Sequence, residues 1–294
     1  MRESRTYKIV MYIVLTVLCL IIAFPFLNML MMAFMTPQEI QSVPLPFFPK
    51  SLQIENFKGI MKAFGYYGPN LEHAYIWRFL LNTLFLITVK TIGIILSATL
   101  CAFGFSKIKF PGRNVAFMIM MATIMIPGAV LQIPSFILFR DFGWLDTLNP
   151  LWIPGCFGGG AMTIFLLRQF MRGLPDTMME AARIDGASYF NIYARIILPN
   201  CKPMMFYILI NQVNSTWGDY FSPYLYVNSK EKWTVALAMV SMAQSVGNAG
   251  DVLSIGSLGV QMATCALMSI VPLVTFLLGR KNFIENVTLT GVKG

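Results

Sequence analysis

The chain has 294 residues, of which 56% are hydrophobic and 12% are charged. Soluble globular domains usually contain about 45–50% apolar residues and about 25% charged residues, so this composition argues against an ordinary soluble protein and favours a membrane protein with several spans. The formal net charge is +9, but the basic residues flank apolar runs, as they do in membrane proteins. Nucleic acid is therefore not an expected partner.

Six apolar runs are long enough to cross a bilayer, which requires roughly 20 residues. The first run is too long for the apolar core of a secretory signal peptide, and we expect it to be retained as a helix. The sequence therefore predicts a single all-α membrane domain over residues 1–294, with spans at about 9–34, 79–105, 115–139, 151–171, 204–227 and 259–278.

The distribution of basic residues predicts how these spans are oriented. With a cytoplasmic N-terminus, the inner segments carry about twice as many Lys and Arg residues as the outer segments. Cytoplasmic loops of membrane proteins carry this excess of positive charge. An even number of spans then places both termini in the cytoplasm.

The inner loop at 172–203 carries the strongest local signals. Thr177 and Glu180 have the spacing of a capping box, which predicts a short helix beginning there. This helix should run to about Asp185, and Gly186 is well placed to follow it in a left-handed backbone conformation. From the residues alone, this segment is either a docking surface for another protein or an ordinary solvated loop.

A second helix is predicted after this turn. Tyr189, Ile192, Tyr193 and Ile196 fall on one face of an α-helix, which is typical of an amphipathic helix. Pro199 is expected to mark its end, before the fifth span.

The same loop resembles the EAA motif of bacterial ABC importer permeases. The resemblance rests on Glu180-Ala181-Ala182, Asp185-Gly186-Ala187 and Ile197-Leu198-Pro199, followed by Pro203. It implies a type I ABC importer permease fold, in which this loop is the coupling helix that enters a cleft of an ATPase subunit. By the resemblance, Ala181 and Ala182 pack in the cleft, Glu180 contacts the ATPase, and Gly186 permits the sharp turn.

Other segments are similar to the same family, and to its carbohydrate (maltose-type) subfamily in particular. They are Asn82-Thr83-Leu84, 110–113, Ile126-Pro127, 143–147, Trp217-Gly218-Asp219 and the tail 288–294. The resemblance implies a sugar importer in the bacterial cytoplasmic membrane, built from a heterodimer of permeases, two ATPase subunits and an extracytoplasmic solute-binding protein. The long first outer loop is a candidate contact for that binding protein.

Polar or aromatic residues within or beside the spans are candidates for the substrate pathway, because polar side chains are costly inside a membrane. For Trp217 and Tyr220, the alternative is a place in the interfacial aromatic belt. Lys90 lies deep in the second span, where it would face a cavity, pair with an acid of a partner, or attract an acidic substrate. The candidates are Asn82, Lys90, Asn214, Trp217, Asp219 and Tyr220.

No catalytic or metal-binding constellation is evident, and His73 is the only histidine. The sequence has no GxxxxGK(S/T) phosphate-binding loop, so ATP and Mg²⁺ are expected on a separate ATPase and no cofactor is expected in this chain. The alternatives are a permease for a non-sugar or acidic-saccharide solute, and an autonomous secondary transporter. The latter predicts inverted repeats and acids within spans, and neither is visible.

Overall fold

The computed structural model describes residues 5–65, 75–246 and 258–291. His73 and residues 292–294 of the predicted tail motif lie outside these ranges. Within them every regular element is helical, as predicted. The chain divides into one unit of residues 1–76 with 238–271 and a second unit of residues 77–237 with 272–294.

The first unit contains α1, two short helices and parts of two later ones. Its first three helices are α1 (Arg5–Met32), α2 (Pro37–Gln41) and α3 (Glu55–Gly65). α1 is among the longest helices and is apolar almost throughout. This unit also takes in most of α14 (Val235–Val246) and the first part of α15 (Leu258–Gly291).

The second unit contains the remaining helices. They are α4 (Tyr75–Lys107), α5 (Arg113–Ala122), α6 (Gly128–Asp141), α7 (Asn149–Trp152), α8 (Ala161–Arg172), α9 (Thr177–Ile184), α10 (Tyr189–Ile192), α11 (Leu198–Asn200), α12 (Lys202–Trp217) and α13 (Phe221–Tyr226). Short 3-10 turns lie at Thr123–Met125, Pro154–Cys156 and Lys230–Lys232, and a π-helical turn occupies Tyr193–Ile197.

Four helical stretches in the described residues are each long and apolar enough to cross a membrane. They are Tyr7–Met32, Trp77–Lys107, Asn149–Arg172 and Leu258–Gly279, and a fifth arises if Arg113–Met125 and Gly128–Asp141 form one span bent by 96°. The bend falls at Pro127, whose missing N–H prevents the helix from continuing through it. These stretches correspond to five of the six predicted spans.

The predicted span at 204–227 is not a continuous helix. α12 has 16 residues and α13 has six, and neither alone reaches the roughly 20 residues that a bilayer requires. α12 ends at Trp217 with Gly218 as its C-cap residue, and the Asp219 carboxylate accepts a hydrogen bond from the Ser222 N–H at 3.0 Å in the first turn of α13. The number of six spans and the orientation of the termini therefore stay predictions.

The main core of the second unit lies between α4, α8 and the helices of the 172–203 loop. Ala98 and Ala102 are fully buried on one face of α4, and their small side chains allow neighbouring helices to approach closely. The loop helices thus belong to the packed body of the unit. The buried cluster comprises Ile94, Ala98, Ala102, Phe103, Ile164, Leu167, Met171, Met179, Ala182, Ile192, Tyr193, Ile197, Cys201 and Ile208.

Asp146 clamps the segment after α13 to the loop between α6 and α7. Its carboxylate accepts hydrogen bonds from the Asn228 N–H at 3.0 Å, the Ser229 N–H at 2.8 Å and the Ser229 hydroxyl at 2.5 Å, and it pairs with Lys232. The hydroxyl and N–H of Ser229 contribute most to holding the pKa of this carboxyl well below its usual range. The motif at 143–147 therefore has a structural role here.

We expect Asp146→Ala to lower the thermal midpoint of the detergent-solubilised protein, because hydrogen bonds to a charged group are among the stronger ones. Since folding lowers the Asp146 pKa, this contribution is complete at neutral pH and is lost only as the pH falls below about 4.

The matched control is Asp141→Ala, which removes an exposed carboxylate that pairs with the adjacent Arg140. An equal decrease in both variants, or none in either, would contradict the clamp.

Candidate functional site

α9 is the first helix of the loop at 172–203, which we call the docking loop after its predicted role, and its start differs from the prediction. Asp176, not Thr177, is the N-cap residue, and no side chain caps the helix. The predicted capping box is therefore wrong. The reason is that Asp176 is engaged elsewhere, since its carboxylate lies 2.6 Å from the Lys107 ammonium. Glu180 remains in the first turn, where an acid interacts favourably with the helix dipole.

The turn after α9 forms as predicted. Gly186 has a φ of +79°, and its N–H donates to the Arg183 carbonyl at 3.1 Å. The Ala187 N–H then donates to the Ala182 carbonyl at 2.9 Å, so the last turn of α9 is closed by backbone hydrogen bonds. A left-handed backbone costs other residues energy, and the predicted requirement for glycine is confirmed.

The second loop helix continues past Pro199. α10 passes into the π-helical turn, in which the Leu198 N–H donates to the Tyr193 carbonyl, and α11 follows. A proline cannot donate to the carbonyl four residues earlier and its ring clashes there. The wider π turn accommodates Pro199 by moving that carbonyl, here that of Arg195, out of the α-helical register. This helix ends at Asn200 and α12 begins at Lys202, so Pro199 marks its end to within one residue, as predicted.

The buried face of the second loop helix also differs from the prediction. Ile192 and Ile197 are fully buried and Tyr193 is nearly so, whereas Tyr189 is exposed and Ile196 is half-buried. The simple α-helical periodicity predicted Tyr189 and Ile196 on the buried face. The helix is amphipathic as expected, but its buried residues lie nearer its C-terminal end than predicted.

Three polar contacts fix the docking loop to the preceding helices. The Tyr193 hydroxyl lies 2.7 Å from the Thr99 hydroxyl of α4. The Lys107 ammonium at the end of α4 donates to the Leu174 carbonyl at 2.7 Å and to Asp176. The Lys107 side chain is only 3% exposed, and its charge and hydrogen bond lower the pKa of the Asp176 carboxyl.

Arg168 provides a further tie at the end of α8. Its Nε donates to the Phe105 carbonyl at 3.2 Å, and its guanidinium lies 4.0 Å from the centre of the Phe117 ring. This geometry is that of a cation–π contact. α4, α5 and α8 are thereby joined directly beside the base of the docking loop.

The outward surface of α9 and its turn consists of exposed residues around the apolar side chain of Ile184. Glu180, Ala181, Arg183 and Asp185 are exposed, and Ile184 is 87% exposed. Ile184 was not among the predicted site residues. Its spacing of four from Glu180 and three from Ala181 places it on the same helical face, and this was the signal available in the sequence.

The two alanines of the motif point in different directions. Ala181 is exposed, while Ala182 is buried beside Met179 in the core of this chain. Arg183 lies with its guanidinium 5.3 Å from the centre of the Tyr189 ring. Only Ala181 is thus free to contact a second protein, and Ala182 fixes α9 to the body of the unit.

Comparison with known proteins identifies the family. The family described as the binding-protein-dependent transport system inner membrane component matches residues 91–282, which is about two thirds of the chain and includes the whole docking loop. The chain belongs to this family. It is therefore a multi-pass membrane permease and not an enzyme, as predicted.

Individual relatives resemble the permease along nearly its whole length. An arabinooligosaccharides transport system permease protein of Halalkalibacterium halodurans is 28% identical over 93% of this chain and 92% of its own. A polygalacturonan/rhamnogalacturonan transport system permease protein of Bacillus subtilis is 24% identical over 99% and 100%. A crystal structure of a bacterial ABC transporter involved in alginate import has a TM-score of 0.78, with 21% identity over 96% and 98%.

Two of the predicted pathway residues, Asn82 and Trp217, occupy structural positions in the permease. The Asn82 amide donates to the carbonyls of Glu231 at 2.9 Å and Trp233 at 3.0 Å, so it holds the segment after α13 against α4. Trp217 is buried at the end of α12. Asn82 therefore has a structural role, and a place of either residue in the substrate pathway stays a prediction.

The other pathway candidates remain accessible or partly accessible. Asn214 is exposed and accepts a hydrogen bond from the Thr275 hydroxyl at 3.1 Å, and Tyr220 is exposed. The half-buried Lys90 interacts electrostatically with Asp219, so the structure brings these two charged candidates into one region. Among the described residues, no group of three or more His, Cys, Asp or Glu side chains is arranged to hold a metal.

We expect Lys107→Met to release the base of the docking loop. Loss of the bonds to the Leu174 carbonyl and Asp176 should increase amide hydrogen exchange severalfold at residues 174–187, because local opening governs exchange.

The control for this experiment is Lys109→Met, which changes an exposed lysine two residues away. Equal exchange in the wild type and both variants would show that Lys107 does not hold the loop.

Proposed function

We propose that this permease is the transmembrane subunit of an ATP-driven oligosaccharide importer, and that α9 with Gly186 transmits ATPase closure to the transport pathway. The observation that carries the proposal is an exposed apolar side chain, Ile184, presented on a turn that is rigidly fixed to the membrane helices. The exposed surface and its fixed base play different parts in this mechanism.

The exposed surface has the composition of a docking site. Ile184 supplies an apolar centre, and Glu180, Arg183 and Asp185 surround it with charges of both signs. Protein interfaces commonly combine a buried apolar anchor with a polar rim. Charged rims also set the orientation of the partner. The exposed Ala181 side chain is small enough for the helix backbone to approach a cleft closely.

The fixed base suits the transmission of movement. Lys107 and Tyr193 tie the loop to α4, and Ala182 is buried in the core that α4 and α8 share. A packed core resists continuous deformation, so displacement of α9 would move these helices as a body. Rigid-body movement of this kind would produce alternating access.

The remaining components of the importer are expected to be separate protein chains. The sequence lacks a phosphate-binding loop of the GxxxxGK(S/T) form, so ATP and Mg²⁺ would be bound by two separate ATPase subunits. A second permease would complete the pathway as a heterodimer. The description of the family as binding-protein-dependent supports an extracytoplasmic solute-binding protein as the donor of the substrate.

The substrate class is proposed from the relatives. Two permeases that align with nearly the whole chain are described as serving arabinooligosaccharides and polygalacturonan or rhamnogalacturonan. Both solutes are saccharides of more than one unit. An oligosaccharide is therefore the substrate class that we propose for this permease.

We expect Ile184→Asp and Glu180→Lys each to abolish or strongly reduce co-purification of the ATPase with the permease. Ile184→Asp places a charge at the centre of the proposed interface, where an unpaired charge is costly. Both side chains are exposed, so folding should not change. The measurement is the ATPase-to-permease ratio after affinity purification.

The matched control is Phe110→Asp, which alters an exposed apolar residue in the neighbouring loop between α4 and α5. Retention of the ATPase by both α9 variants, or equal loss in the control, would refute docking through α9.

Transport by the reconstituted assembly tests the mechanism. We expect uptake of a labelled oligosaccharide to require ATP on the ATPase side together with the binding protein. Uptake driven by an ion gradient in the absence of ATP would instead support a secondary transporter.

A further inference from the structure

The segment that follows α1 folds back toward that helix. The Gln53 N–H donates to the Phe34 carbonyl at 2.9 Å. The Asn56 amide donates to the carbonyls of Ala33 at 3.0 Å and Met35 at 2.9 Å, and Asn56 is itself buried. These bonds hold the chain around residue 53 at the level where α1 ends.

Glu39 joins the two ends of the loop between Thr36 and Lys50. Its carboxylate accepts hydrogen bonds from the N–H and hydroxyl of Thr36 and from the Lys50 N–H at 2.9 Å. The two backbone donors contribute most to lowering the pKa of Glu39, so the carboxylate stays charged and keeps these bonds at neutral pH. Residues 43–49, which we call the strap, therefore project from a fixed base.

The strap lies against the side of α1. The Phe47 ring stacks on the Phe24 ring with a centroid distance of 5.7 Å, and Phe48 meets Phe47 edge-on at 4.9 Å. Phe24 precedes the last residue of α1, Met32, by eight positions, or about 12 Å along the helix axis. Because Tyr7–Met32 is a candidate span, Phe47 reaches down to a level within that span.

The strap is strongly apolar and has few backbone donors. Residues 43–49 include no charged side chain, and Pro44, Pro46 and Pro49 have no N–H. Val43 is 96% exposed and Phe48 is 68% exposed. Unpaired backbone N–H groups are costly in an apolar medium, and the three prolines remove three such groups from the strap. This composition thus lowers the free-energy cost of moving the strap from water into an apolar medium.

We propose that the strap is a membrane anchor that inserts Phe48 and Val43 into the lipid interface beside α1. Its apolar surface is continuous with that of α1, where the most apolar window of the span has no buried residue within the chain. Irregular backbone is not stable in lipid-exposed hydrocarbon, so the strap lies at the boundary between headgroups and acyl chains. Lys50, at its end, remains at the level of the anionic headgroups.

Spin-label accessibility tests this anchor. A nitroxide is attached at Phe48→Cys or Val43→Cys, in a chain whose exposed cysteines Cys19 and Cys101 are replaced by alanine. The full chain is purified with the subunits that accompany it and reconstituted in phosphatidylcholine–phosphatidylglycerol vesicles. Collision with lipid-soluble oxygen is then compared with collision with a water-soluble nickel chelate. The chain without an introduced cysteine supplies the baseline.

We expect the oxygen-to-nickel collision ratio to be severalfold higher at both strap positions than at Lys58→Cys. Lys58 lies on α3 and has a 67% exposed side chain, so it is the matched aqueous control. Both strap residues are largely exposed, so their substitution should leave folding unchanged. A ratio equal to the control would show that the strap lies in water. Low collision with both reagents would show that another protein covers it, such as the second permease or the binding protein. Either result would overturn the proposal.

Discussion

The burial of a single lysine at the end of α4 determines how the docking loop is placed. A buried ammonium is costly unless it is hydrogen-bonded, and Lys107 donates two hydrogen bonds, to the Leu174 carbonyl and the Asp176 carboxylate. Because these two acceptors lie at the start of α9, the hydrogen bonds of Lys107 hold the start of α9 against the end of α4. It also accounts for the uncapped start of α9, since the carboxylate of its N-cap residue is occupied by the lysine.

The docking surface depends on this attachment in two ways. Met179 and Ala182 can be buried only if α9 lies flat on the core, and that position turns Ala181 and Ile184 outward. Gly186 then reverses the chain without a side chain that would be strained in a left-handed conformation. The same residues thus fix the loop and present its exposed face, so this face is joined through packed contacts to α4 and α8.

Local features of the fold could be predicted from the sequence where one residue type decides the backbone. The left-handed Gly186 and the break at Pro127 are of this kind, as are the long apolar helices. The start of α9 was not predictable, because a tertiary contact with Lys107 overrides the local capping pattern. The π turn before Pro199 moves a carbonyl away from the proline ring, and hydrophobic periodicity alone predicts neither this turn nor the break at Gly218.

The sequence motif indicated where the proposed site lies, and its role in docking stays a prediction. The motif indicated Ala182 as a contact for a partner, yet the core of this chain buries it, and the exposed Ile184 carries no motif signal of its own. The most direct test of the account is photo-cross-linking from a benzoylphenylalanine introduced in place of Ile184 in the assembled transporter. We predict a cross-link to the ATPase subunit that is absent when the probe replaces Phe110. No cross-link from position 184, or one to a protein other than the ATPase, would contradict it.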